Sequence, residues 1–176
     1  MTFSDPQKNI QQFGLTEGMK IADLGAGSAA YTLAAAAQVG TSGRVYAVEV
    51  QKELLSNIKN MAAKQGFFNV EVIWGDIERL GGTKIKDHVL DAVIVSNVLF
   101  QAEDKRGVVA EVRRILKPKG RVLVVDWKDS FGGMGPHVDQ VMSEQTARDL
   151  FENDGFTLDR FISSGDHHYG FVAVKQ

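Results

Sequence analysis

Two periodicities run along the chain. Short, nearly continuous apolar runs at Lys20–Leu24, Arg44–Glu49, Asn69–Trp74, Leu90–Val95 and Arg121–Trp127 read as strands. Between them the apolar positions fall three and four apart, as at Leu54, Leu55, Ile58, Met61 and Ala62 in a helix over Lys52–Gln65 that Gly66 stops. Asp5-Pro6 opens a helix through Phe13, since proline suits a first turn; Ile10, Phe13 and Leu15 form its buried side. An Ala-rich helix spans about Ser28 to Val39, and another about Asp104 to Leu116, after which Pro118-Lys119-Gly120 turns the chain into the fifth strand. Ser143 caps a last helix that Asp154-Gly155 ends. Phe156–Ile162 and Tyr169–Val174 then read as a hairpin joined by residues 163–168. Residues 78–88 are polar and irregular. Repeated strand–helix alternation with short connections predicts a doubly wound α/β sheet.

Composition narrows the class. A chain of 176 residues, 44% hydrophobic, supports one well-buried domain, expected over 1–176 with residues 1–18 as a short helical cap. A net charge of −2 gives no reason to expect a polyanionic partner. Without cysteine there is no disulfide, thiolate nucleophile or thiolate metal site, which fits a cytoplasmic protein. The opening MTFSDPQKNIQQ lacks the basic and apolar blocks of a signal peptide, and no apolar run approaches the roughly 20 residues of a membrane span.

The chemistry concentrates between Lys20 and Glu49. Gly25-Ala26-Gly27 follows a strand and precedes a helix, so the backbone can turn sharply and a ligand can approach it closely. Glu49, at the tip of the second strand, can take both ribose hydroxyls of a nucleoside. Gly25, Gly27 and Ala30 also satisfy the GxGxx(G/A) fingerprint of NAD-binding domains, with an acid at a suitable interval. Asp23 before the loop, Gly75-Asp76 after the third strand and the terminal hairpin separate the two readings.

These residues together resemble the class I S-adenosylmethionine-dependent methyltransferases over essentially the whole length. Asp23-Leu24-Gly25-Ala26-Gly27 looks like the family's first motif, Val48-Glu49-Val50 like the second, and Trp74-Gly75-Asp76-Ile77 like the third. Leu90 to Trp127, with Ser96-Asn97 and Arg113 to Gly120, resembles the family's fourth through fifth strands. The resemblance implies a Rossmann-like, mostly parallel seven-stranded sheet with helices on both faces and an antiparallel C-terminal hairpin strand. It implies S-adenosylmethionine as cofactor, bound by Asp23, Gly25, Ala26, Gly27, Glu49, Val50, Asp76, Ile77, Ser96 and Asn97, with Asp76 toward adenine and Ser96 and Asn97 toward the methionine end or acceptor. The implied activity is methyl transfer to a small-molecule acceptor, with no membrane partner and no nucleic acid expected; a homo-oligomer or a partner chain completing the site stays open. The alternatives are a non-catalytic S-adenosylmethionine-binding module and an NAD(P)-dependent oxidoreductase.

The chain also departs from the pattern. Ala29 stands where the loop usually has a third glycine, and Phe100-Gln101 where many small-molecule methyltransferases carry a histidine. His137, His167 and His168 are the candidate general bases, because they follow strands that end at the ligand edge; Asp126, Asp166, Trp127 and Tyr169 could join them there. His88 is expected at the opposite edge. No metal site is assigned. The Gly-rich Phe131–Pro136 segment reads either as a substrate lid or as a tight path to the last helix. Arg113, Arg114, Lys117, Lys119 and Arg121 face away from the ligand edge and are expected to form a solvated surface.

Overall fold

A computed structural model describes residues 3–133 and 135–176; Met134, within the Gly-rich segment, lies outside the described residues. The elements are α1 (Pro6–Phe13), β1 (Lys20–Leu24), α2 (Ala30–Val39), β2 (Arg44–Glu49), α3 (Lys52–Lys64), β3 (Val70–Trp74), β4 (Leu90–Ser96), α4 (Lys105–Ile115), β5 (Leu116–Trp127), α5 (Glu144–Asn153), β6 (Phe156–Phe161) and β7 (His168–Lys175). They build one seven-stranded sheet in the order β3-β2-β1-β4-β5-β7-β6. Strands β1 to β5 pair in parallel, whereas β7 runs antiparallel to both β5 and β6. The doubly wound, Rossmann-like α/β fold read from the sequence is the fold observed.

Alternation along the strands divides the core into two faces. Ile21, Val45, Ile94, Leu123 and Val125 meet Ile10 and Phe13 of α1 and Ala35, Ala36 and Val39 of α2. Ala22, Leu24, Val93, Val95, Val122 and Val124 meet Val108, Val112 and Ile115 of α4 and Ala147 and Phe151 of α5. The near-continuous apolar run of β4 is buried because helices cover both of its faces. Caps fix the outer helices: Asp5 accepts from the amides of Gln7 and Lys8 at the start of α1, and the Ser143 hydroxyl accepts from Thr146 at the start of α5.

Three details differ from the sequence reading. The Pro118-Lys119-Gly120 turn is absorbed into β5, whose pairing with β4 begins at Leu116, shifts register, and resumes at Arg121; Lys119 takes a left-handed φ of 63° there. Helix α2 starts at Ala30, because Ala29 is itself left-handed, with φ 67°. The basic cluster is not simply a solvated surface. Arg114 pairs with Asp87 and the fully buried Glu111, Lys117 pairs with Asp91, and Arg121 donates to the carbonyls of Phe13 and Gly14. Glu111 stands one turn before Arg114 in α4, a local spacing, whereas Asp87, Asp91, Phe13 and Gly14 lie on other elements that no local spacing announces.

Candidate active site

The carboxyl ends of β1 to β4 open into a cavity of about 430 Å³, a size suited to a small ligand. All ten residues that the motifs assign to cofactor binding line it: Asp23, Gly25, Ala26, Gly27, Glu49, Val50, Asp76, Ile77, Ser96 and Asn97. The loop after β1 is tied to the neighbouring strand, for the amides of Gly25 and Ala26 both donate to the Val48 carbonyl. Gly25 has φ 76°, and a Cβ there would sit 2.8 Å from Val98 Cγ2, so any side chain would collide with the cavity wall.

Glu49 is almost wholly buried, yet its carboxylate is well supplied. Oε2 accepts from the Gly27 amide at 3.0 Å, and Oε1 accepts from Val50 and Gln51 at 2.9 Å each. Three amides hold the group in one orientation and leave it lone pairs to accept more. Asp23 Oδ2 accepts the Thr32 hydroxyl at 2.6 Å, fastening α2 to β1. Burial pushes this carboxyl up to about 6, the Thr32 hydrogen bonds pull it down in part, and the charge of Glu49 raises it further. Asp76 accepts from the Glu78 amide and pairs with Arg79, which rounds off the turn after β3. Trp74 supports Val50 from outside: its indole Nε1–H donates to the Val50 carbonyl at 3.0 Å, with the ammoniums of Lys52 and Lys84 over its ring.

The electrostatics of the lining are one-sided. Asp23, Glu49, Asp76 and Glu78 contribute carboxyls, and no Lys or Arg lies among the lining residues. A cation is therefore favoured there and a pyrophosphate disfavoured. At the β4 end, Ser96 Oγ and Asn97 Oδ1 are buried without a hydrogen-bond partner among the described residues. Buried polar atoms of this kind gain from a ligand that supplies the missing bonds.

The N-terminal segment also reaches the cavity, which no motif announced. Ser4, Pro6 and Tyr31 line it, and Asn9 Nδ2 donates to both the Ser4 and Tyr31 hydroxyls, at 2.9 and 2.7 Å. The only advance signal was the position of Tyr31 in the first turn after the loop. Gln101, near the expected histidine position, lines the cavity too.

None of the three candidate histidines lines this cavity. Because β6 runs in the same direction as β5, the hairpin turn does return to the carboxyl edge, bringing His167 and His168 beside the end of β5. His168 pairs with Trp127 in register, its ring tilted against the indole with centroids 4.2 Å apart. Burial, reinforced by the neighbouring His167, pushes its pKa down to about 4, and both ring nitrogens are buried without a partner among the described residues. His167 bonds Asp129 through Nδ1 at 2.8 Å. His137 is exposed, just before the 3-10 turn Val138–Gln140. Asp126 accepts from the amides of Leu99, Phe100 and Trp127, and burial lifts its carboxyl to about 6. The neighbouring Tyr169 hydroxyl is buried without a partner among the described residues, and burial and nearby carboxylates raise its pKa. His88 lies at the opposite edge, where its Nδ1 meets the Leu116 carbonyl and Lys175 Nζ. Among the described residues no three His, Asp or Glu side chains gather as a metal site.

An open parallel sheet with this strand order, an antiparallel terminal hairpin, a glycine turn after β1 and an acid at the tip of β2 define the class I S-adenosylmethionine-dependent methyltransferase fold. The chain belongs to the family of methyltransferase domains, which it matches over residues 15–162. S-Adenosylmethionine is the cofactor of this class. A SAM-dependent methyltransferase of Aquifex aeolicus has the same fold, with a TM-score of 0.88 and 28% identity over 98% of this chain and 90% of that one. An arsenite methyltransferase of Halobacterium salinarum is 32% identical over 112 residues, covering 64% of this chain and 28% of that protein. A demethylmenaquinone methyltransferase of Bacillus velezensis is 29% identical over 119 residues, covering 68% and 50% respectively. The chain thus spans half or less of the length of these two curated relatives.

Proposed function

We propose that this protein moves the methyl group of S-adenosylmethionine onto a small organic acceptor. The observation that carries the reading is the cavity's charge: four carboxyls line it and no Lys or Arg does. A sulfonium with a free ammonium suits that field, whereas the pyrophosphate of a nicotinamide dinucleotide does not. In this reading Glu49 takes the ribose hydroxyls and Asp76, with Ile77 and Val50, holds the adenine. Asp23, Gly25, Ala26 and Gly27 adjoin the methionine portion, with Ser96 and Asn97 at its far end. The cofactor supplies an electrophilic methyl carbon. The chain's own part is to hold an acceptor in line with that carbon and to exclude water.

Between the acceptor classes named for the relatives, the composition favours the organic one. Trivalent arsenic is a soft centre best held by thiolates, and these 176 residues contain no cysteine. The carboxyl edge next to the cavity carries Phe3, Trp127 and Phe131 instead. Among the described residues no helix is long and apolar enough to cross a membrane, and a cytoplasmic location accords with the cysteine-free chain. The test is release of S-adenosylhomocysteine from S-adenosylmethionine with arsenite, hydroxylated aromatics and small amines as acceptors. Turnover with a hydroxylated aromatic is expected. Tight cofactor binding with no turnover on any acceptor would favour the non-catalytic binding module.

A further inference from the structure

At the tip of β5 a buried acid holds one wall of the cavity from behind. Asp126 is not among the lining residues, and only 1% of it is exposed. Its Oδ2 accepts from the Leu99 amide at 2.8 Å and the Phe100 amide at 3.3 Å, while Oδ1 accepts from Trp127 at 2.8 Å. Leu99 and Phe100 open a single tight turn, in which the amides of Gln101 and Ala102 both return to the Val98 carbonyl. The first amides of such a turn have no partner within it. Asp126 takes them as a helix N-cap would, but from a neighbouring strand.

The turn that Asp126 caps carries cavity residues. Asn97, Val98, Gln101 and Ala102 all line the cavity, and Val98 packs against Gly25, where an added Cβ would lie 2.8 Å from it. Asn97, at the head of the turn, takes a left-handed φ of 54°, which persists only where the surroundings hold it. The Val125 carbonyl fixes its amide at 2.8 Å. Consecutive residues of β5, Val125 and Asp126, thus set the path of the chain from Asn97 to Ala102. An acid is a costly choice for this task. Burial lifts its carboxyl to about 6, and the amides of Trp127, Phe100, Leu99 and Val98 pull it down in part. Tyr169 of β7 faces it, with Glu144 at the start of α5 beyond; burial and these two carboxylates raise the phenol's pKa, so Tyr169 stays neutral. His168, in register with Trp127, is neutral as well, its pKa pushed down to about 4 by burial.

We propose that Asp126 is a positioning residue for methyl transfer, its carboxylate fixing the Asn97–Ala102 wall against which the cofactor is held. This rests on the methyltransferase reading above. A ligand that needs the wall in place binds the ionised form of Asp126 more tightly than the protonated form, which has given up part of its capacity to accept amides. Binding in turn makes this carboxyl harder to protonate. A residue that merely stabilised the fold would show no such coupling.

The test follows the backbone amide signals of Leu99, Phe100 and Trp127 by NMR as the full chain is acidified, with and without S-adenosylhomocysteine. In the free protein the three signals should move together, with a midpoint near 6. Saturation with S-adenosylhomocysteine should lower that midpoint by about one pH unit, the shift equivalent to tenfold tighter binding by the ionised form. Asp126→Asn should leave all three signals flat, which assigns the titration to this carboxyl. Asp126→Leu, with no oxygen for the turn, should lose roughly tenfold in S-adenosylhomocysteine affinity at neutral pH. Phe151→Leu, a core change in α5, serves as the destabilised control and should stay within about twofold of wild type. Failure of wild type to bind S-adenosylhomocysteine would sink the methyltransferase reading itself. Binding without a downward shift of the midpoint would overturn the positioning role alone, and this holds even if Asp126→Leu fails to fold. Wild-type affinity in Asp126→Leu, or an equal loss in Phe151→Leu, would overturn it too.

Discussion

The two ends of the carboxyl edge are built on different terms. Over β1 to β3 the polar groups are already bonded: Glu49 accepts three amides, Asp23 a hydroxyl, and Asp76 an amide and a guanidinium. Around β4, β5 and β7, Ser96, Asn97, Ser164, His167, His168 and Tyr169 keep buried polar atoms without partners among the described residues. A site with its bonds in place holds its shape before a ligand arrives, which suits recognition of an invariant nucleoside. A site with bonds left open carries a cost in stability, and that cost has a use where a bound ligand must supply them.

The largest expected effect is at the bonded end. Glu49→Ala unfastens three amides and, in the proposed reading, removes the ribose acceptor. Affinity for S-adenosylhomocysteine should fall roughly 10- to 150-fold, about 1.5–3 kcal/mol, by calorimetric titration. An unchanged affinity would take Glu49 out of the nucleoside site.

Asp23 should reveal itself through pH. Its folded pKa of about 6 exceeds the unfolded 3.8, so the folded state binds this proton more tightly. The resulting stability is fully present below pH 3.8 and is lost as pH rises through about 6. In Asp23→Asn that contribution is absent. Urea unfolding should therefore show wild type gaining on the variant by on the order of 2 kcal/mol between pH 7 and pH 4. A difference independent of pH would mean that Asp23 does not titrate in this window.

At the open end the sign should reverse. His168→Phe keeps the ring contact with Trp127 and removes two unpartnered nitrogens, so stability should rise by about 1 kcal/mol, read as a higher melting temperature, with S-adenosylhomocysteine affinity unaltered. A marked loss of stability would show that the imidazole nitrogens are bonded after all, through water. The smallest effect belongs to Ala29→Gly. Relief of the left-handed backbone, about 1–2 kcal/mol, is opposed by the lost burial of one methyl and the added freedom of the unfolded chain. Thermal unfolding should hardly move, whereas Ala29→Val should be clearly destabilising.

The same contrast explains what could be read in advance. The bonded end comes from contiguous motifs, each a strand tip with its following turn, so Asp23, Glu49 and Asp76 could be placed by local spacing alone. The sheet, too, was legible, because period and glycine punctuation are local signals. The open end draws on Phe3, Asp129, Phe131 and His167, which no spacing brings together. His88, His167 and His168 could be placed at the correct edge from topology, but Asp129 as the partner of His167 required the register of β5 against β7. Similarly, Trp74 behind Val50 and the Ser4–Asn9–Tyr31 contacts depend on side chains meeting across elements.

The central claim is that the anionic cavity over β1 to β4 holds S-adenosylmethionine. Calorimetric titration of the purified protein with S-adenosylhomocysteine, with NADH in parallel, tests it most directly. Micromolar binding of S-adenosylhomocysteine and none of NADH is the expected result. Binding of NADH alone would contradict the claim and leave only a shared nucleotide-binding fold.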